Sequence, residues 1–449
     1  MEQPASLLRA RFPAADPERF SLTNELHARP FPELTAPSRA IFIAIKPDGG
    51  EARDRSEDVR RLTTLIDRYG GAHPAPGSAH YTGKLGRFTL KWESHTEFVT
   101  YTIFQDGVAA EPFSGEALSL FPEDWLADLG GRITASAMVR IETAPDEAAA
   151  ETLFTEQLQK HFAGESLSVA WVVGREALVA SDFRIHENGF ARIAVVALEG
   201  MGPRRLGRIT QRLLEIESYK AFAMTALPTA RDVSGKVGHI EGALAKLIAS
   251  EDNAAELSPE RARETLQALT RLSAQAERIS TETAFRFGAS AAYEAIVTDR
   301  IEVLREERMG GRQLYSEFMK RRFDPAMRTC RAAQGRLAAL SERLARASSL
   351  LSTQVNVAVE AQNQELLESM NRRAALQLRL QRTVEGVSVV AISYYALNLA
   401  AALAAPWTKL AGLDKAMTTS LLAIPVIGAV WYGMSRIRKQ WEGSGRKKD

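Results

Sequence analysis

Apolar positions follow three patterns along the chain. Short alternating runs broken by turns fill the N-terminal half, a three/four spacing follows, and the C-terminal end has long runs without a charge. Residues 39–46 alternate, with Ile41, Ile43 and Ile45 on one side, and predict a strand. Residues 88–92, 98–104 and 133–141 predict further strands. Residues 59–69 predict a helix, as do residues 146–161, just after Pro145. Residues 168–173 and 177–180 flank Gly174-Arg175-Glu176 as a hairpin, and Asn188-Gly189 predicts a tight turn before a strand over 190–198. Pro203 opens a helix with Ile209, Leu213, Ile216 and Ala223 on one face, ending at Pro228. Strands with interspersed helices imply a mixed sheet with helices packed on it. We read residues 1–230 as an α/β (α+β) domain.

Residues 231–323 read as a helical region. Within it, 231–257 look like a junction, and Ser258-Pro259-Glu260 starts a helix that reaches Arg308 before Gly310-Gly311. A shorter helix is predicted over 312–322. Asp324-Pro325 then opens a long stalk helix over 324–385, since Asp can cap free amides and Pro suits the first helical position. The next proline is Pro406, so the helix would run about 120 Å at 1.5 Å per residue. Leu337, Leu340, Leu344, Ala347, Leu351, Val355 and Ala358 form one apolar stripe, interrupted by Gln362 and Asn363. A stripe with polar breaks is expected of a stalk that packs against copies of itself, because it has few partners in its own chain.

Residues 386–408 are free of charge between Glu385 and Lys409, and 416–435 between Lys415 and Arg436. A helix needs about 20 mainly apolar residues to cross the hydrocarbon core, so these runs predict a transmembrane helical hairpin over 386–435. Arg372, Arg373, Arg379 and Arg382 precede it. Arg436, Arg438, Lys439, Arg446, Lys447 and Lys448 follow it, in a basic tail over 436–449. The loop carries only Lys409 and Lys415, so the positive-inside rule puts both termini in the cytoplasm. Trp407, Trp431, Tyr432 and Trp441 fall where aromatic rings anchor helices at headgroup level.

Composition changes this picture little. The chain has 449 residues, and 57 Lys+Arg against 55 Asp+Glu leave a net charge of +2. That balance supplies no drive for nucleic-acid binding. The single cysteine, Cys330, excludes an intrachain disulfide and a cysteine-based zinc site.

Candidate chemistry is sparse. Gly200-Met201-Gly202 stands between a strand and a helix, but Arg205 occupies the place where a phosphate-binding fingerprint needs glycine, and Gly207 is too far on. A tight turn is the better account, although Arg204, Arg205 and Arg208 could attract an anion there. Polar residues gather at Asn24, Glu25, His27 and Arg29, and at Asp182, Arg184 and His186. On an unbroken strand Glu93, His95 and Glu97 would share a face opposite Trp92 and Phe98. Glu93, His95, Glu97 and His186 are therefore the candidates for a divalent cation or a metal-dependent reaction. A structural hydrogen-bond network, including docking of the N-terminal segment, outweighs that reading. No cofactor is expected.

Several longer segments carry a resemblance. They are Asn24-Glu25-Leu26-His27-Ala28-Arg29-Pro30-Phe31-Pro32, Leu90-Lys91-Trp92-Glu93-Ser94-His95-Thr96-Glu97-Phe98, Ser181-Asp182-Phe183-Arg184-Ile185-His186, Gln211-Arg212-Leu213-Leu214-Glu215-Ile216-Glu217 and Thr383-Val384-Glu385-Gly386-Val387-Ser388 through Ser393-Tyr394-Tyr395. Together the chain resembles an uncharacterised membrane-anchored protein family of bacteria, domain of unknown function 3422, over nearly its whole length. That resemblance implies a bacterial inner-membrane protein and no particular activity. The order of parts is also similar to the CorA-type magnesium channels, whose Tyr-Gly-Met-Asn signature keeps only its Tyr and Asn in the first run, as Tyr395 and Asn398 near mid-span, while Tyr432-Gly433-Met434-Ser435 sits at the wrong end of the second. The expectation is a non-enzymatic, homo-oligomeric protein in the lipid bilayer, whose cytoplasmic domain binds a ligand or partner and is coupled to the membrane by the stalk. The alternatives are a divalent-cation channel with Tyr395 and Asn398 in its pore, and a metal-dependent enzyme.

Overall fold

The computed structural model describes residues 16–25, 31–47, 54–75, 77–252, 259–410 and 414–445. The chain forms two compact units, Met1–Ala255 with Gln267–Ala347, and Glu256–Leu266 with Ser348–Asp449.

In chain order the elements are α1 (Arg19–Glu25), β1 (Ser38–Lys46), α2 (Arg55–Arg68), β2 (His80–Leu85), β3 (Phe88–Ser94), β4 (Val99–Asp106), α3 (Glu123–Ala127), β5 (Arg132–Ala144) and α4 (Glu147–Leu153). Then come β6 (Ser168–Val172), β7 (Ala177–Ile185), β8 (Ala191–Leu198), α5 (Pro203–Met224), α6 (Ala226–Asp252), α7 (Pro259–Leu304), β9 (Glu307–Arg308), α8 (Tyr315–Leu410) and α9 (Lys415–Gly445).

The first unit is built on one mixed sheet of nine strands in the order β2-β3-β4-β1-β5-β8-β7-β6-β9. β5 and β8 run parallel, and the other neighbours are antiparallel. β1 lies between β4 and β5 and is covered on both faces, which explains its nearly continuous apolar run. Ile41, Ile43 and Ile45 of β1 join Trp92 of β3, Tyr101 of β4 and Trp171 of β6 in one core with Leu62, Leu65 and Ile66 of α2. Asp54 caps α2 by accepting from the Ser56 amide at 2.9 Å. α5 packs on the sheet at β5 and β8.

Several boundaries differ from the sequence reading. The predicted helix over 146–161 is α-helical only to Leu153, and continues as a π turn (Phe154–Leu158) and a 3-10 turn (Gln159–His161). β2 escaped the pattern because its Tyr81 and Leu85 alternate with polar residues and glycine. α5 ends at Met224, and Pro228 falls in the first turn of α6, where its missing N–H costs nothing. Residues 231–252 are therefore helix, not a junction.

α8 begins at Tyr315, ten residues before Pro325. The Glu306 carboxylate accepts from the Tyr315 amide at 2.8 Å and the Ser316 amide at 3.0 Å, satisfying the start of the helix. Pro325 removes one helical hydrogen bond, but buried Met319, Phe323, Met327 and Cys330 hold the helix through it. The stripe at Leu337, Leu340 and Leu344 is buried within the chain's own first unit. Arg336 pairs with Glu241 of α6 at 2.6 Å, and Arg331 pairs with Glu294 of α7. These helices are the intrachain partners that the sequence reading did not foresee for this stretch.

In the second unit, α8 and α9 each contain a stretch long and apolar enough to cross a membrane, by length and composition alone. Ala358 is exposed, and so are Leu366, Leu367, Met370, Leu376, Leu380 and Val384 ahead of the uncharged run.

Candidate functional site

β3 turns Lys91 and Glu93 to one face, two positions apart. Lys91 is buried; its Nζ donates to Gln211 Oε1 of α5 at 2.7 Å and lies 3.2 Å from Glu93 Oε1. Gln211 Nε2 donates to Glu215 Oε1, one turn on, at 2.8 Å. Arg300 Nε of α7 donates to Glu215 Oε2. A buried ammonium is tolerated when it is paired and hydrogen-bonded, and here two cations face two carboxylates. These residues line a cavity of about 200 Å³ with His95, Thr100, Thr102, Ser218 and Tyr219. Phe31, Phe42, Phe104 and Leu214 form its apolar side. The Lys91 ammonium has three N–H bonds and, among the described residues, two acceptors, which leaves one donor toward the cavity. The arrangement is suited to holding a small polar ligand with an apolar part.

Only two of the four predicted metal candidates meet here. β3 ends at Ser94, and the His95 amide donates to Phe98 O at 2.8 Å, so a tight turn replaces the unbroken strand. His95 consequently stacks on Phe98, with ring centroids 4.2 Å apart, instead of facing away from it. Glu97 leaves the cavity. Its carboxylate accepts from Arg286 Nη2 and, at 3.0 Å, from the Tyr293 hydroxyl of α7, with Lys46 Nζ 3.6 Å away. Burial first, and then the Glu97 charge, push the Tyr293 hydroxyl well above its ordinary range. His186 lies 2.9 Å from Asp182, a buried carboxylate that also accepts from the Ala163 and Arg184 amides. β7, which leads to His186, is five strand spacings from β3, about 24 Å at about 4.8 Å each. Among the described residues no group of three His, Cys, Asp or Glu side chains is placed to hold a metal ion.

The remaining candidates separate as well. Gly200 turns at φ +92° and Gly202 precedes α5, as expected of a tight strand-to-helix connection. Arg204 pairs with Glu33 at 2.7 Å and Arg205 with Glu176, so both are turned to surface carboxylates and not to a common anion site. Glu33 belongs to the segment docked on α5, where the Leu34 amide donates to Pro203 O at 3.2 Å. Tyr395 and Asn398 are exposed on α8. The side chains of Asn24 and Glu25, and residues His27 and Arg29, lie outside the described residues. Sequence reasoning missed Lys91, Gln211 and Arg300. The two-residue spacing of Lys91 and Glu93 was a usable signal for the first, whereas the other two are joined to it only by the fold.

No curated protein matches the chain. The family described as "Protein of unknown function (DUF3422)" matches residues 14–441, nearly the full length. The chain belongs to this DUF3422 family.

Proposed function

We propose that this is a non-enzymatic, membrane-anchored, homo-oligomeric protein of the bacterial inner membrane, with both termini in the cytoplasm. Its sheet unit binds a small polar ligand in the cavity under β3, and α8 couples that unit to the bilayer. The observation that carries the reading is the exposure of apolar side chains on α8 and α9. Only 6% of each apolar window is buried, and water is a poor solvent for the rest. Ahead of the uncharged run, Leu366, Met370, Leu380 and Val384 share one face on a period close to 3.5, the pattern of a helix that packs on copies of itself.

Membrane extraction and native mass spectrometry of the full-length protein test both parts. The protein is expected to stay with membranes washed in alkaline carbonate and to leave them only in detergent. The detergent complex is expected to contain more than two chains, and Leu366→Glu combined with Leu380→Glu to reduce it to one. Release by carbonate removes the anchoring; a monomeric wild type removes the self-association. A divalent-cation channel is the second reading, favoured by one observation, the exposed Asn398 amide within the apolar run.

A further inference from the structure

Arginines crowd the seam between α5 and α7. Arg208 and Arg212 are one turn apart on α5, so they rise from the same face, and Glu215 continues it. Arg300 reaches that face from α7 through its bond to Glu215, and Arg305 follows the last turn of α7. Glu215 already accepts from both Gln211 and Arg300. Arg208 and Arg212 are half-buried, and among the described residues the guanidinium groups of Arg208, Arg212 and Arg305 make no hydrogen bond or close ion pair, although the nearby Glu215 charge offsets part of the repulsion at Arg212. Four guanidiniums thus stand against one bonded carboxylate. Burial first, then the Arg208 and Arg300 charges, lower the Arg212 guanidinium below its ordinary range. Like charges held together and partly withdrawn from water repel, and a bound anion is the natural relief. Arg300 also lines the cavity, so the crowded seam and the cavity share a side chain.

We infer that Arg208, Arg212 and Arg300 hold the phosphate group of a ligand. A guanidinium presents a planar fork of donors, and three forks suit the several oxygens and double charge of a phosphate better than the two oxygens of a carboxylate. This deepens the reading of the sheet unit as the ligand-binding part. The phosphate belongs either to a soluble ester or to a lipid headgroup.

Calorimetric titration with inorganic phosphate and pyrophosphate tests the site. The full-length protein is held in nanodiscs of neutral phosphatidylcholine, at constant ionic strength. Saturable binding is expected, weakened about tenfold by either Arg208→Gln or Arg212→Gln. Arg204→Gln, whose guanidinium is held by Glu33, should leave it unchanged. Neither test variant touches the Arg300–Glu215 pair, and far-UV circular dichroism checks that the fold persists. Absence of binding, or equal binding by the Arg208→Gln/Arg212→Gln double variant, overturns the assignment. Nanodiscs containing phosphatidic acid identify the source. A weaker apparent affinity for added phosphate assigns the site to a lipid headgroup, and an unchanged one assigns it to a soluble ester. The extraction and mass measurements do not depend on phosphate, so failure here leaves the anchored oligomer standing.

Discussion

His161 carries a pH dependence that belongs to a single side chain. Its Nε2 is buried and makes no hydrogen bond among the described residues. Burial first, then the Lys160 and Arg192 charges, hold the imidazole below its ordinary 6.5. The unfolded chain therefore takes up a proton at a pH where the folded one does not. The associated stability is fully present above 6.5 and is lost as pH falls through the depressed folded value. Chemical denaturation of the detergent-purified protein is expected to show a lower midpoint at about pH 5.5 than at about pH 7.5, with a smaller difference in His161→Phe. An equal difference in the variant would assign the effect to other groups. At this scale the sequence exposed residue types but not partners. Glu97 looked like one of a metal-binding group with Glu93 and His95, and it is instead the acceptor for Arg286 and Tyr293, nearly two hundred positions later in the chain.

Gly207 shows what an element needs from one position. A side chain there would bring a Cβ within 1.7 Å of Pro32 O, on the segment that lies along α5. The glycine that stood too far along the chain for a phosphate fingerprint is a close-approach residue. Gly207→Ala should force residues 31–34 away from α5 at a cost of about 2 kcal/mol. Hydrogen exchange of the Leu34 amide, which donates to Pro203 O, would then quicken roughly thirtyfold. Unchanged exchange would mean that the segment is not held there. Elements with strong local signals were legible: Asn188-Gly189, the hairpin across residues 174–176 and the strand at β1 all mark real features, although β1 is buried on both faces and not on alternate positions. The start of α8 was not. Asp324-Pro325 carries a strong local start signal, yet Glu306 caps the helix ten residues earlier, and packing of the first unit overrides the proline.

At the scale of the whole molecule, one helix passes from a packed interior to an exposed apolar surface. α8 buries Leu337, Leu340 and Leu344 and then exposes Leu366, Met370 and Leu380, so one run of helical periodicity serves two environments. A pore would need several chains, because two apolar helices per chain enclose none. If a ring forms and conducts, divalent-cation flux into reconstituted vesicles should fall at least about tenfold in Asn398→Ala. Flux that is absent, or unaltered in the variant, removes Asn398 from a pore.

Periodicity, charge and length by themselves determined the mixed sheet, the long helices and the two uncharged runs, because these follow from side-chain spacing along a local backbone. Only the tertiary structure decided which polar residues meet. Lys91, Gln211, Glu215 and Arg300 come from one strand and two helices and are joined by hydrogen bonds that no spacing encodes. The strand order also sets β7 and His186 five strand spacings from β3. A sheet sets such distances through its strand pairing, which depends on contacts between positions remote in the chain.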